Sequence, residues 1–214
     1  MIKVYGVSLS PFVRKVLFSL NYKGIEHEEV PVMPGDASEE FRAMSPLGKI
    51  PALQHDDFAI SDSSIICDYL DRVFPDKPIY PAAAKDRARA CWLEEFGDSK
   101  LAECCGGGLF FQRVVRPKFF NEEPDDALIQ DTVENQLPPL LHYLDSVVPE
   151  AGYLVGDHLS VADMGIVTHF INAMYADYQV DPEAYPKLGN YLNRAMSSDL
   201  VQNQLEKERA QMPG

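Results

Sequence analysis

Apolar residues recur along the chain in two rhythms, and the change from one to the other divides it. Residues 2–5 (Ile-Lys-Val-Tyr) and 27–32 (His-Glu-Glu-Val-Pro-Val) are short and β-rich, and between them Val13, Val16, Leu17 and Leu20 fall at i, i+3, i+4 and i+7. That pattern predicts strand, helix, strand. A polar stretch with a short helix candidate near Glu39–Ala43 follows. Pro51–His55 and Phe58–Ser61 then flank Asp56-Asp57, which suits a tight antiparallel hairpin. A further helix places Ile65, Ile66, Tyr69, Leu70 and Val73 on one face. A parallel crossover needs a covering helix, so the order β-α-β-α-β-β-α predicts a mixed four-stranded sheet with helices on both sides.

Pro75, Pro78 and Pro81 then punctuate a linker, and beyond it only helical spacing remains. It runs over residues 86–103 with Trp92, through Val133/Leu137/Leu140/Leu141/Leu144, and through Ile166/Val167/Phe170/Ile171/Met174. The expected fold class is therefore α/β plus all-α, with an α/β unit over residues 1–78 and a helical unit over 86–214. Two features break helix rules. Gly106-Gly107-Gly108 is costly inside a helix, and Pro138-Pro139 removes backbone donors, so both are expected to kink or interrupt their helices. The glycines also permit close approach of a backbone or a ligand.

Composition narrows the function. The chain has 214 residues, 46% hydrophobic and 24% charged, with no low-complexity tract, and is expected to be ordered. Its net charge of −14 argues against nucleic acid and anionic membranes, which are held by clustered Lys and Arg. The charge is uneven: residues 1–80 carry −4 and residues 81–214 carry −10. No apolar run approaches the roughly 18 residues of a membrane span, and Met1-Ile2-Lys3-Val4 reads as an opening strand, so a cytoplasmic location is expected. Cys67, Cys91, Cys104 and Cys105 lack metal-ligand spacing, and an adjacent Cys104-Cys105 bridge would be strained, which favours reduced thiols. His27, His55, His142, His158 and His169 are scattered, and no metal site is expected.

Three dipeptides hold candidate chemistry. Ser10-Pro11 lies where the first strand gives way to a helix. It reads as an N-cap and first helical residue, or as a hydroxyl steadying an anion at a helix N-terminus. Ile50-Pro51 opens a strand. A trans bond is the base-rate expectation, whereas a cis bond would turn the Ile50 N–H and C=O outward to pair with an extended peptide. Asp62-Ser63 is an N-cap, or a carboxylate and hydroxyl for a zwitterionic amino-acid group.

Taken together they carry a resemblance. Ser10-Pro11-Phe12-Val13-Arg14-Lys15-Val16, Ser45-Pro46-Leu47-Gly48-Lys49-Ile50-Pro51-Ala52-Leu53 and Ser61-Asp62-Ser63-Ser64-Ile65-Ile66-Cys67-Asp68-Tyr69-Leu70 resemble the cytosolic glutathione transferases. Tyr153-Leu154-Val155-Gly156-Asp157-His158-Leu159-Ser160-Val161-Ala162-Asp163 resembles that family's capping-box segment, a structural motif in which Ser160 and Asp163 satisfy each other's backbone donors. The resemblance implies a thioredoxin-like first domain, a helical second domain, a homodimer and a glutathione site at the domain boundary. Ser10 matches the catalytic serine of the serine-type classes, tau-like and theta-like among them. Lys49 matches a position that meets the glycyl carboxylate, Ile50 the residue whose backbone pairs with the cysteinyl part, and Pro51 the cis-proline. Asp62 and Ser63 match the pair that holds the γ-glutamyl group, although Asp62 is shorter than the usual Glu or Gln. The Ser-Ser-Cys run of zeta-class isomerases and the catalytic cysteine of beta- and omega-like members are both missing. Ser10-Pro11-Phe12-Val13 stands where thioredoxins carry CxxC, which excludes dithiol exchange by these residues.

The implied reaction is conjugation of the glutathione thiolate to a small electrophile, with Ser10 as thiolate stabiliser. The electrophile is expected between Phe12 and a helix carrying Phe110, Phe111 and Arg113. Two rivals remain: a non-catalytic interaction module on the same fold, and a peroxidase, dehalogenase or isomerase that uses the same thiolate.

Overall fold

The computed structural model describes residues 1–36 and 38–209. Of the helical unit expected over 86–214, residues 210–214 lie outside the described residues. Four strands, β1 (Ile2–Tyr5), β2 (His27–Val30), β3 (Ala52–His55) and β4 (Phe58–Ser61), form a sheet in the order β2-β1-β3-β4. β1 pairs parallel with β2 and antiparallel with β3, and β3 pairs antiparallel with β4, so the sheet is mixed and ends in a hairpin, as expected. β2 stops at Val30 rather than residue 32, because Pro31 has no N–H for the ladder. The hairpin turns at Asp56, whose φ of 56° lies in the left-handed region that Asp tolerates.

Helix α1 (Pro11–Lys23) begins behind Ser10 and ends on Gly24 at φ 72°. It packs on α3 (Ser63–Val73), while the short α2 (Glu39–Met44) packs against β3 and β4. On α3 the buried residues are Ser63, Ile66, Cys67 and Leu70, whereas Ile65 and Val73 face outward with 51% and 42% of their surface exposed. The expected apolar stripe is therefore rotated. Small Ser63 and Cys67 sit toward the core, and two large aliphatics are left on the surface.

Helix α4 (Ala84–Phe96) passes directly into π1 (Gly97–Phe120), a wider helix of the i→i+5 type. The Gly106-Gly107-Gly108 run does not interrupt it, contrary to the expectation from propensity. After α5 (Asp126–Asp131), a second wide turn π2 (Thr132–Gln136) hands over to α6 (Leu137–Val147). Pro138 and Pro139 thus fall in the first turn of α6, directly behind the wide turn.

Helix α7 (Val161–Tyr175) is buried around its whole circumference from Val161 to Ala173, as befits the centre of a helical layer. It packs on α1, α4 and π1, and its first N–H, at Val161, donates to the Ile79 carbonyl at 2.9 Å. Helices α8 (Pro186–Met196) and α9 (Asp199–Arg209) complete the described residues. Asp163 supports the start of α7. Its Oδ2 accepts from the Ser160 N–H (2.9 Å) and hydroxyl (2.8 Å), and its Oδ1 from the Leu154 N–H and the Tyr191 hydroxyl (2.9 Å each). No helix among the described residues is long and apolar enough to cross a membrane.

Candidate active site

A cleft of about 1100 Å³ opens where the N-termini of α1 and α3 and the residues before β3 face π1. Ser10, Phe12, Lys49, Ile50, Pro51, Asp62, Ser63, Phe110 and Phe111 all line it. Arg113 does not. Its guanidinium donates instead to the Ala176 carbonyl at 2.8 Å, which ties π1 to the end of α7.

Ser10 occupies the N-cap position of α1 with φ −72° and ψ 125°, yet its hydroxyl makes no capping hydrogen bond. Proline at the next position suits the first helical residue, where no N–H is needed. The hydroxyl is left at the positive end of a helix dipole, on the cleft wall. The Ile50-Pro51 bond is cis, not the trans form expected from base rates. The β1–β3 register runs only from Ile2↔His55 to Tyr5↔Ala52, so the Ile50 backbone is outside the ladder. The Ser45 hydroxyl donates to the Lys49 carbonyl at 2.7 Å and accepts from the Lys49 N–H at 3.1 Å, which fixes the backbone ahead of Ile50.

Asp62 caps α3: its Oδ1 accepts from the N–H groups of Ser64 (3.0 Å) and Ile65 (3.2 Å). Its φ of 82° places a non-glycine residue in a costly region of backbone space, as happens where a site over-determines the chain. One residue thus both starts the helix and presents a carboxylate to the cleft.

Beneath these residues lies a set of buried polar groups that periodicity did not single out. Arg14, wholly enclosed, forms a two-pronged pair with Glu208 (Nε to Oε1 and Nη2 to Oε2, 2.8 Å each). It also donates to the Thr168 carbonyl (2.8 Å) and to Asn172 Oδ1 (2.7 Å). Thr168 in turn donates to the Pro11 carbonyl (2.8 Å), and Asn172 Nδ2 to the Leu9 carbonyl (3.4 Å). The α1 N-terminus is therefore pinned on both sides of Ser10, and Asn172 itself lines the cleft.

Lys15 is wholly buried where α1 meets α3, α4 and π1. Its ammonium meets Glu94 Oε1 at 2.8 Å, Ser64 Oγ at 3.0 Å and Asp98 Oδ2. Burial by itself would depress the Lys15 pKa, but Glu94 and Asp98 outweigh it and hold the ammonium charged. Burial pushes the Glu94 carboxyl above its ordinary range. For Asp98 burial acts the same way but is overcome by neighbouring His169 and Lys15, which hold it low. The His169 ring, fully enclosed, is held below its ordinary value by burial despite Asp98 Oδ1 at 3.6 Å. The only sequence signal for these groups was a pair of cations, Arg14-Lys15, set inside an apolar stripe.

Burial raises all four thiol pKa values, with Cys67 pushed up to about 12, and none of the four belongs to the cleft lining. No metal-ligating cluster occurs among the described residues.

Family models of the glutathione S-transferase N-terminal and C-terminal domains match residues 4–78 and 110–208. The chain is 32% identical to glutathione S-transferase 3 of Zea mays over 167 residues, covering 76% of this chain and 73% of that one. It is 26% identical to glutathione S-transferase Z2 of Arabidopsis thaliana over 215 residues, or 99% and 94%. A solved glutathione S-transferase from Rhodospirillum rubrum F11 superposes with a TM-score of 0.85 at 27% identity, covering 96% of this chain and 92% of the other.

Proposed function

The chain belongs to the glutathione S-transferase family, and on that premise we propose that it conjugates the thiolate of glutathione, its co-substrate, to small electrophiles, with the Ser10 hydroxyl donating to the sulfur. The observation that carries this reading is that hydroxyl, placed in the cleft at a helix N-terminus and spent on no cap. Residues 1–78 are the glutathione-binding unit in this reading, and residues 86–214 supply the second wall.

A free cysteine thiol has a pKa near 8.5 and is only a few per cent thiolate at neutral pH. Lowering it by about two units makes the thiolate dominant, at about 1.4 kcal/mol per unit. One hydrogen bond to a charged group contributes roughly 1.5–3 kcal/mol, and the α1 dipole adds to it. The thiolate then attacks the electrophilic carbon; an S–C bond forms and the leaving group departs with its bonding pair. The Ile50 N–H and C=O pair with the cysteinyl backbone of glutathione, Lys49 faces the glycyl carboxylate, and Asp62 and Ser63 take the γ-glutamyl end. Phe12, Phe110 and Phe111 form the apolar side for the electrophile.

Ser10→Ala tests the assignment. Because the hydroxyl caps nothing, the variant should melt within about a degree of the parent, while conjugation at neutral pH falls roughly 10- to 100-fold and its pH optimum moves alkaline. Unchanged rate and optimum would remove Ser10 from the chemistry.

We also place the partner of a homodimer on the face formed by α3 and β4, where Ile65, Val73 and Phe58 stand exposed. Ile65→Glu should convert a dimeric mass in light scattering to a monomeric one. A monomeric parent would remove the proposal.

A further inference from the structure

The glycines of π1 are not alike. A Cβ on Gly97 would stand 2.6 Å from the Gly165 carbonyl oxygen, and one on Gly108 would collide with Thr132 Oγ1. Packing therefore requires glycine at both places. At Gly106 and Gly107 a Cβ would meet nothing within 4 Å, and neither residue lies in the left-handed region. Inside a helix glycine is the least favourable residue after proline, so neither packing, backbone conformation nor propensity accounts for these two. What they have in common is the cleft, which both line.

We propose that Gly106 and Gly107 are specificity-determining residues that open a bay in the π1 wall for a fused aromatic ring on the electrophile. The inference rests on the transferase reading above and names its substrate class. Phe110 and Phe111 follow on the same wall, with Phe120 6.3 Å from Phe111 ring to ring, and Phe12 stands among the other lining residues. Aromatic faces and edges at such spacing suit a flat π-system. Exposed Glu95 also lines the cleft, and its charge disfavours an anionic substituent. The class is thus an uncharged or cationic electrophile built on two or more fused rings.

The test uses three ligands that share one tripeptide: glutathione, S-benzylglutathione and S-(1-naphthylmethyl)glutathione, titrated calorimetrically into the intact protein and into Gly106→Leu and Gly107→Leu. In the parent the naphthylmethyl conjugate should bind about tenfold more tightly than the benzyl conjugate, the increment expected for one further buried ring. Each leucine variant should lose that preference while its Kd for glutathione stays within about twofold. Retention of the preference in the leucine variants overturns the inference and leaves the transferase reading standing, as does a parent with no preference. Failure of the parent to bind glutathione overturns both. Should a leucine variant fail to fold, Gly106→Ala and Gly107→Ala take its place, and a full naphthylmethyl preference in those folded proteins overturns the inference.

Discussion

His169 gives the stability of this protein one pH-dependent contribution. It is wholly buried, both ring nitrogens lack hydrogen-bond partners, and its surroundings are Asp98 on π1, Lys15 and Arg14 on α1, and the edge-on ring of Phe12. Its folded pKa lies below the ordinary 6.5 because burial penalises the imidazolium more than Asp98 stabilises it. In the unfolded chain the ring takes up a proton near pH 6.5, whereas in the folded chain it does so only at lower pH. The unfolded state therefore binds more protons between those two values, and stability falls as pH drops through that window. Above it the contribution is fully present. Urea midpoints measured from about pH 8 to about pH 5 should decline from near 6.5 downward, and His169→Gln should flatten that limb. An identical limb in the variant would assign it to another group. The role of this residue was not legible in the sequence: a lone histidine on an apolar helix carries no sign of the carboxylate and ammonium that other elements bring to it. That Ser10, Asp62 and Ser63 stand at helix N-termini was legible, because helix-start signals are local in sequence.

Elements were predicted well wherever one apolar face repeats, as in α1, where Val13, Val16, Leu17 and Leu20 are all buried. On α3 the same reasoning put Ile65 and Val73 on one apolar face with Ile66 and Leu70, because period alone cannot distinguish residues buried within the fold from those exposed on its surface. The wide helix π1 was the larger departure. Propensity tables describe the i→i−4 helix, and they turned Gly106-Gly107-Gly108 into a break. In the structure Gly108 lets π1 approach buried Thr132 of π2, and Gly97 lets it approach Gly165 of α7, so close packing offsets what the glycines cost. Pro138-Pro139 likewise marks where π2 becomes α6, a boundary that a regular hydrophobic stripe running through both concealed.

The whole molecule is clamped by a pair that no local pattern reveals. Arg14 and Glu208 are 194 residues apart, both are fully buried, and they join α1 to α9 across α7. The Glu208 carboxylate also accepts from the Tyr175 hydroxyl (3.0 Å) and Gln204 Nε2 (3.0 Å), so its charge is compensated on several sides. Such a pair contributes little relative to well-packed apolar residues, because desolvation of both ions offsets their attraction. Removing one partner, by contrast, leaves the other buried and uncompensated, at about 3–5 kcal/mol. Glu208→Gln should therefore lower the unfolding free energy by several kcal/mol, roughly 3 or more, whereas the double substitution Arg14→Met, Glu208→Leu should recover most of that loss. Conjugation should separate the two variants in the opposite sense. Arg14 also orders Thr168 and Asn172, which hold the Pro11 and Leu9 carbonyls on either side of Ser10. The stable double variant should thus have lost the alignment of Ser10, with a lower kcat and an alkaline-shifted optimum, while Glu208→Gln below its melting temperature keeps both near the parent. A double variant that is restored in stability and unchanged in kcat and pH optimum would mean that Arg14 holds the fold together without positioning the hydroxyl.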